Sequence, residues 1–67
     1  MDGLVQTFLH ILIGLAEDEA IAEIKTSGFV ARIVDRDGVP FLHTTDCRTD
    51  RINLGIVKGK VAKADIG

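Results

Sequence analysis

The chain has 67 residues, which is enough for one small domain and not for two. Hydrophobic residues are 46% and charged residues 27%, with a net charge of −2, no Trp and no Tyr; this is globular composition, without the basic patch or stacking aromatics of a nucleic-acid binder. A single cysteine excludes an internal disulfide and a Cys-rich zinc scaffold, and so short a chain has little room for the deep pocket most enzymes need.

Residues 4–16 form an apolar stretch interrupted by Gln6, Thr7 and His10. It is too short and too polar for a membrane span, so no membrane partner is expected. The only charge before it is Asp2, so the positive flank of a signal peptide is missing. The lone cysteine suits a reducing compartment, which slightly favours the cytoplasm. Strand alternation is poor here, and residues 1–11 are read as an apolar N-terminal arm, an early strand or an irregular segment. Such an arm tucks against its own core or exchanges with a second copy to give a homodimer.

Gly14 breaks the run, and Glu17, Asp18 and Glu19 follow. Three acids suit the positive end of a helix dipole. Ala16, Ala20 and Ile24, with Ile13 and Ile21, fall near one helical face; Lys25 and then Gly28 mark the stop. A helix is expected over residues 16–26. Residues 29–34 are apolar apart from Arg32 and read as an interior strand covered on both faces. Asp35-Arg36-Asp37-Gly38 is a turn signal with Pro40 just beyond. Ile52, Leu54 and Ile56 alternate with Asn53 and Gly55 as a second strand. Lys58-Gly59 reverses the chain, and residues 60–64 return as an antiparallel partner anchored by Val61.

Between these strands residues 35–50 show neither helical nor strand period. A connection of that length in a compact domain is usually functional or disordered, and this composition is not that of disorder. Charges crowd its far end at Arg48, Asp50 and Arg51, which could brace a presented loop against the body of the protein. The expected fold is α+β: a small single domain over residues 1–67, one helix on a mixed sheet of three to four short strands, and a long exposed loop between two parallel strands.

The run Thr44-Thr45-Asp46-Cys47-Arg48-Thr49-Asp50-Arg51-Ile52-Asn53-Leu54 resembles the potato inhibitor I family of serine-protease inhibitors, in a bacterial-type variant. The family pattern is Thr, a variable residue, an acid, an aromatic, Arg, a variable residue, then Asp-Arg and a hydrophobic strand. Thr44, Asp46, Arg48, Asp50, Arg51, Ile52 and Leu54 match it. The order helix, strand, loop, strand, hairpin and terminal glycine matches as well. The resemblance implies that His43, Thr44, Thr45, Asp46 and Cys47 form a reactive-site loop lying substrate-like in a protease cleft. The scissile bond would be Thr45–Asp46, with Thr45 entering the specificity pocket. It also implies that Arg48, Arg51, Asn53 and Gly67 stand where the family braces its loop. A stiff loop loses little entropy on binding, which is the source of affinity. The implied partner is a subtilisin-, chymotrypsin- or elastase-like serine protease; the β-branched Thr45 points to a small pocket of elastase type.

The chain departs from the family pattern in places. Asn53 replaces a second bracing arginine, Cys47 replaces the aromatic, and the Trp that many members carry near the N-terminus is absent. The alternative is a non-inhibitory interaction or self-assembling module of the same fold. Other chemistries are poorly supported. Cys47 and His43 sit four apart, but no oxyanion hole or substrate pocket accompanies them. His10, His43, Asp46 and Cys47 have no zinc-finger spacing, so no metal is assigned. Ser27 lacks a nucleophile elbow, and Gly55, Gly59 and Gly67 form no phosphate loop. Neither catalytic residues nor cofactors are expected.

Overall fold

A computed structural model describes residues 3–41 and 48–67. In chain order these form α1 (Gly3–Leu12), α2 (Glu17–Thr26), β1 (Val30–Arg36), β2 (Val39–Pro40), β3 (Arg51–Val57) and β4 (Lys60–Ile66). The four strands make one mixed sheet in the order β2-β1-β3-β4. β1 and β3 run parallel, whereas β2 and β4 pair antiparallel on the two outer sides. The domain is α+β, as composition and pattern imply. The strands expected on either side of the long connection are parallel neighbours.

Along β3 the two faces of the sheet divide by residue parity, and register shifts interrupt the pattern in β1 and β4. Ile52, Leu54 and Ile56 of β3 are fully buried, and Val61 of β4 lies against the same core. Both helices cover this face: Leu9 and Leu12 from α1 and Ala20 and Ile24 from α2 complete one apolar cluster. Phe8 and Phe29 meet at its margin, ring centroids 6.2 Å apart and tilted by 34°. The intervening residues of β3, Arg51, Asn53 and Gly55, point to the opposite face by the period-2 geometry of a strand.

The segment read as an arm is helix α1. Val5, Phe8, Leu9 and Leu12 recur at i, i+3, i+4 and i+7, and all four lie in or against the core. The described residues therefore hold two helices, where one was expected. The second helix begins and ends as expected. Ala16 takes an extended conformation as its N-cap, and its N–H donates to Glu19 Oε1 at 3.4 Å, half of a capping box. Gly28 turns the chain out with φ +86°. Between the helices, Gly14 N–H donates to the Val61 carbonyl and Val61 N–H to the Leu15 carbonyl, at 2.8 and 2.9 Å. The helix–helix connection thus occupies part of the outer edge of β4 and satisfies its backbone.

Residues 35–50 are not one loop. β1 continues through Arg36, an Asp37-Gly38 turn follows, and β2 pairs back with Asp35 opposite Pro40. Both central residues of this turn have positive φ, 51° and 82°, as do Lys58 and Gly59 in the β3–β4 hairpin, 53° and 79°. That is the backbone of a type I′ turn, whose twist matches flanking strands. The two turns interlock: Asp37 N–H donates to the Ile56 carbonyl, and Lys58 N–H donates to Asp37 Oδ1, each at 2.7 Å. β4 extends to Ile66, two residues past its expected end. β1 is interior to the sheet, but its residues 31–35 are only half-buried and Val30 is exposed, so it is not covered on both faces. Arg32 occupies the face away from the helices, which is why an arginine interrupts an otherwise apolar strand.

Candidate functional site

The residues assigned to the reactive-site loop by resemblance, His43, Thr44, Thr45, Asp46 and Cys47, lie outside the described residues. The residues assigned to bracing are described, and three of them meet. Arg51 Nε and Nη2 both donate to the Gly67 carbonyl, at 3.0 and 2.7 Å. Asn53 Nδ2 donates to the same oxygen at 3.4 Å. The backbone closes the corner, because Gly67 N–H donates to the Arg51 carbonyl at 3.0 Å. The end of β4 is thereby tied to the start of β3 through both main chain and side chains.

Arg51 is 8% exposed, the one buried charged residue among the described residues. Taking a guanidinium out of water is costly unless its N–H groups are satisfied. Two parallel bonds to one carbonyl use the fixed fork of the guanidinium and are of the stronger, charge-assisted kind. Gly67 suits this approach. A Cβ at that position would come within 2.9 Å of Asn53 Nδ2.

Arg32 belongs to the same cluster, although in the sequence it stands out only as a charge in an apolar strand. Its Nε donates to Asn53 Oδ1 at 2.9 Å. The parallel register sets Arg32 directly opposite Asn53 and Val30 opposite Arg51, so all these side chains share the sheet face turned away from the helices.

Arg48 is held differently. Its Nε and Nη2 reach Asp50 Oδ1 and Oδ2 at 2.9 and 2.8 Å, a bidentate pair two residues apart. The hydrogen bond from Arg48 is the main reason the Asp50 carboxyl sits below the usual carboxylate range. Asp50 also contributes its backbone, since Val30 N–H donates to the Asp50 carbonyl at 2.8 Å. The chain therefore re-enters the sheet at Arg51 with two anchors: a side-chain clamp over residues 48–50 and a main-chain bond to the start of β1.

Further along the same face, Lys63 Nζ and Asp35 Oδ2 pair at 3.1 Å across Gly55. A Cβ on Gly55 would meet Lys63 Cγ and Cε at 2.7 Å and Asp35 Oδ1 at 2.8 Å. The glycine lets these long side chains lie flat over the sheet. At the opposite end of the strands Arg36 pairs with Glu17 and lies over the Phe41 ring, 5.5 Å from its centroid. Among the described residues, no helix is long and apolar enough to cross a membrane.

Comparisons with family models, with curated protein sequences and with solved structures find no significant match.

Proposed function

We propose that the protein is a serine-protease inhibitor that presents residues 43–47 to a subtilisin-, chymotrypsin- or elastase-like enzyme, with Thr45–Asp46 as the scissile bond. The reading rests on the resemblance of the run from Thr44 to Leu54. The observation that supports it best is the buried Arg51, whose guanidinium is committed to the Gly67 carbonyl at the point where the chain returns from that segment to the sheet. A buried, doubly bonded arginine at a loop's base fixes the loop's exit, and a fixed loop binds with little loss of entropy. Held ends also favour religation over release if the bond is cut. The activity is binding, and the proposal assigns the chain no catalysis.

The test is an inhibition titration against subtilisin, chymotrypsin, trypsin and pancreatic elastase, with mass spectrometry of the incubated chain. Saturable inhibition with a single cut between Thr45 and Asp46 is the expected outcome. An intact chain without inhibition, or one degraded at many bonds, would overturn the reading.

A second reading, a non-inhibitory interaction module, is favoured by one observation. Leu4 and Ile11 lie seven residues apart on one side of α1 and are 87% and 59% exposed.

A further inference from the structure

The face of the sheet turned away from the helices carries a hydrogen-bonded chain that runs across three strands. Arg32 on β1 donates to Asn53 on β3, Asn53 donates to Gly67 beyond β4, and Arg51 donates twice to that same Gly67 carbonyl. We propose that Arg32 is a positioning residue of the inhibitory loop, acting through Asn53 and the Gly67 carbonyl to hold Arg51 in place. The proposal rests on the inhibitor reading for its functional meaning, and its structural content can be tested without it.

The chemistry of the central amide carries the link. An asparagine side chain has one end that accepts and one that donates, and its orientation is decided by its neighbours. Here one neighbour, the Gly67 carbonyl, can only accept. The other, the Arg32 guanidinium, can only donate. Both requirements are met by a single orientation of Asn53, with Oδ1 toward Arg32 and Nδ2 toward Gly67. Remove Arg32 and that selection weakens. A flipped amide would set two acceptors, Asn53 Oδ1 and the Gly67 oxygen, against each other. The Gly67 carbonyl, pushed from one side, is the acceptor for the bonds from Arg51 Nε and Nη2. The effect of Arg32 therefore reaches the loop's base through two hydrogen-bonded steps and needs no contact between Arg32 and a protease.

The register makes the link specific. Arg32 and Asn53 are directly paired across the parallel strands, so the bond lies square across the ladder. Arg32 is half-buried, which shields the bond from competition by water better than an exposed pair. The bond from Val30 N–H to the Asp50 carbonyl also ties β1 to the start of β3.

The experiment compares the full chain with Arg32→Met, Asn53→Ala, the double variant, and Ala22→Gly as a control. Arg32→Met keeps most of the apolar stem and removes the guanidinium. Ala22 is an exposed position inside α2, so its replacement by glycine lowers stability without touching the cluster. Three quantities are read: the thermal midpoint, the rate of cutting of the chain by subtilisin, and backbone amide exchange over residues 42–50. Arg32→Met is expected to be cut about tenfold faster than wild type, as loss of one charge-assisted bond would give. Asn53→Ala should also speed cutting, and the double variant should fall short of the product of the two effects, because part of each runs through the bond they share. Amide exchange over residues 42–50 should rise in step, and Ala22→Gly should show neither effect at a comparable loss of thermal midpoint. Cutting and exchange no faster than in Ala22→Gly would overturn the proposal, and so would additive effects in the double variant. If Arg32→Met does not fold, Arg32→Lys, which keeps the charge but not the planar Nε donor, takes its place with the same criteria. If wild type inhibits none of the four proteases, the inhibitor reading falls, and the exchange data alone decide whether Arg32 positions the base of this segment.

Discussion

Asp50 shows how much of this site is local electrostatics. Its carboxyl is held below the usual range chiefly by the Arg48 hydrogen bond and further by the nearby positive charge of Arg48 and Arg51, although burial works in the opposite direction. A carboxyl lowered in the folded state contributes stability that is present above its unfolded value, about 3.9, and that disappears as the pH falls through the lowered value. Arg48→Ala should return the Asp50 midpoint to the ordinary range. A carbon-detected NMR titration of the side chain would show this, and an unchanged midpoint would mean that Arg48 is not the cause. A second residue-scale prediction concerns Lys58, which sits at φ 53° in the first position of a type I′ turn. Left-handed backbone is unfavourable for lysine and readily adopted by asparagine. Lys58→Asn should therefore stabilise the chain by about 0.5–1 kcal/mol in chemical denaturation. The bond from the residue 58 N–H to Asp37 is main-chain on the donor side and would survive the change.

At the scale of elements, α1 is the part that sequence reasoning placed least well. Leu4, Val5, Phe8, Leu9, Ile11, Leu12 and Ile13 are apolar, so almost any period finds matches. The structure sorts them. Leu12 is fully buried and Leu9 nearly so, whereas Leu4 and Ile11 face solvent. Leu12→Ala should cost about 2–5 kcal/mol in chemical denaturation, the range for a truncated core leucine. Leu4→Ala should cost little by comparison. A small cost at Leu12 would mean that α1 does not dock as described. The second helix was legible because its signals are independent of packing: acids in the first turn, Lys25 in the last, and Gly28 beyond it. The two hairpin turns were legible for the same reason, since Asp-Gly and Lys-Gly answer to local backbone geometry.

For the whole molecule, the open question is whether α1's outer face meets a second copy. Leu4 and Ile11 are large, exposed and aligned, and self-association would cover them. Leu4→Glu with Ile11→Glu should convert any dimer to monomer, as read by sedimentation velocity, and should leave the inhibition titration unchanged. Deleting the helix would be a poorer test, because Leu9 and Leu12 would leave the core with it. If wild type already sediments as a monomer at high concentration, the self-assembly reading loses its support.

The sequence by itself determined the α+β class, the second helix, the β3–β4 hairpin and the identity of the β3 core residues. Each of these follows from local propensity or from a period-2 pattern on one segment. It also singled out Arg51, from the crowding of charges and from resemblance, and Asn53 and Gly67 from resemblance alone. Only the tertiary structure decided that the N-terminal segment is a helix, because a saturated apolar run has no preferred face until a sheet selects one. Only the tertiary structure joined Arg32 to the cluster. Its partner lies 21 positions away, and the bond exists because β1 and β3 align in one particular parallel register. A register is a property of two strands and the core between them, so no single segment could have carried it.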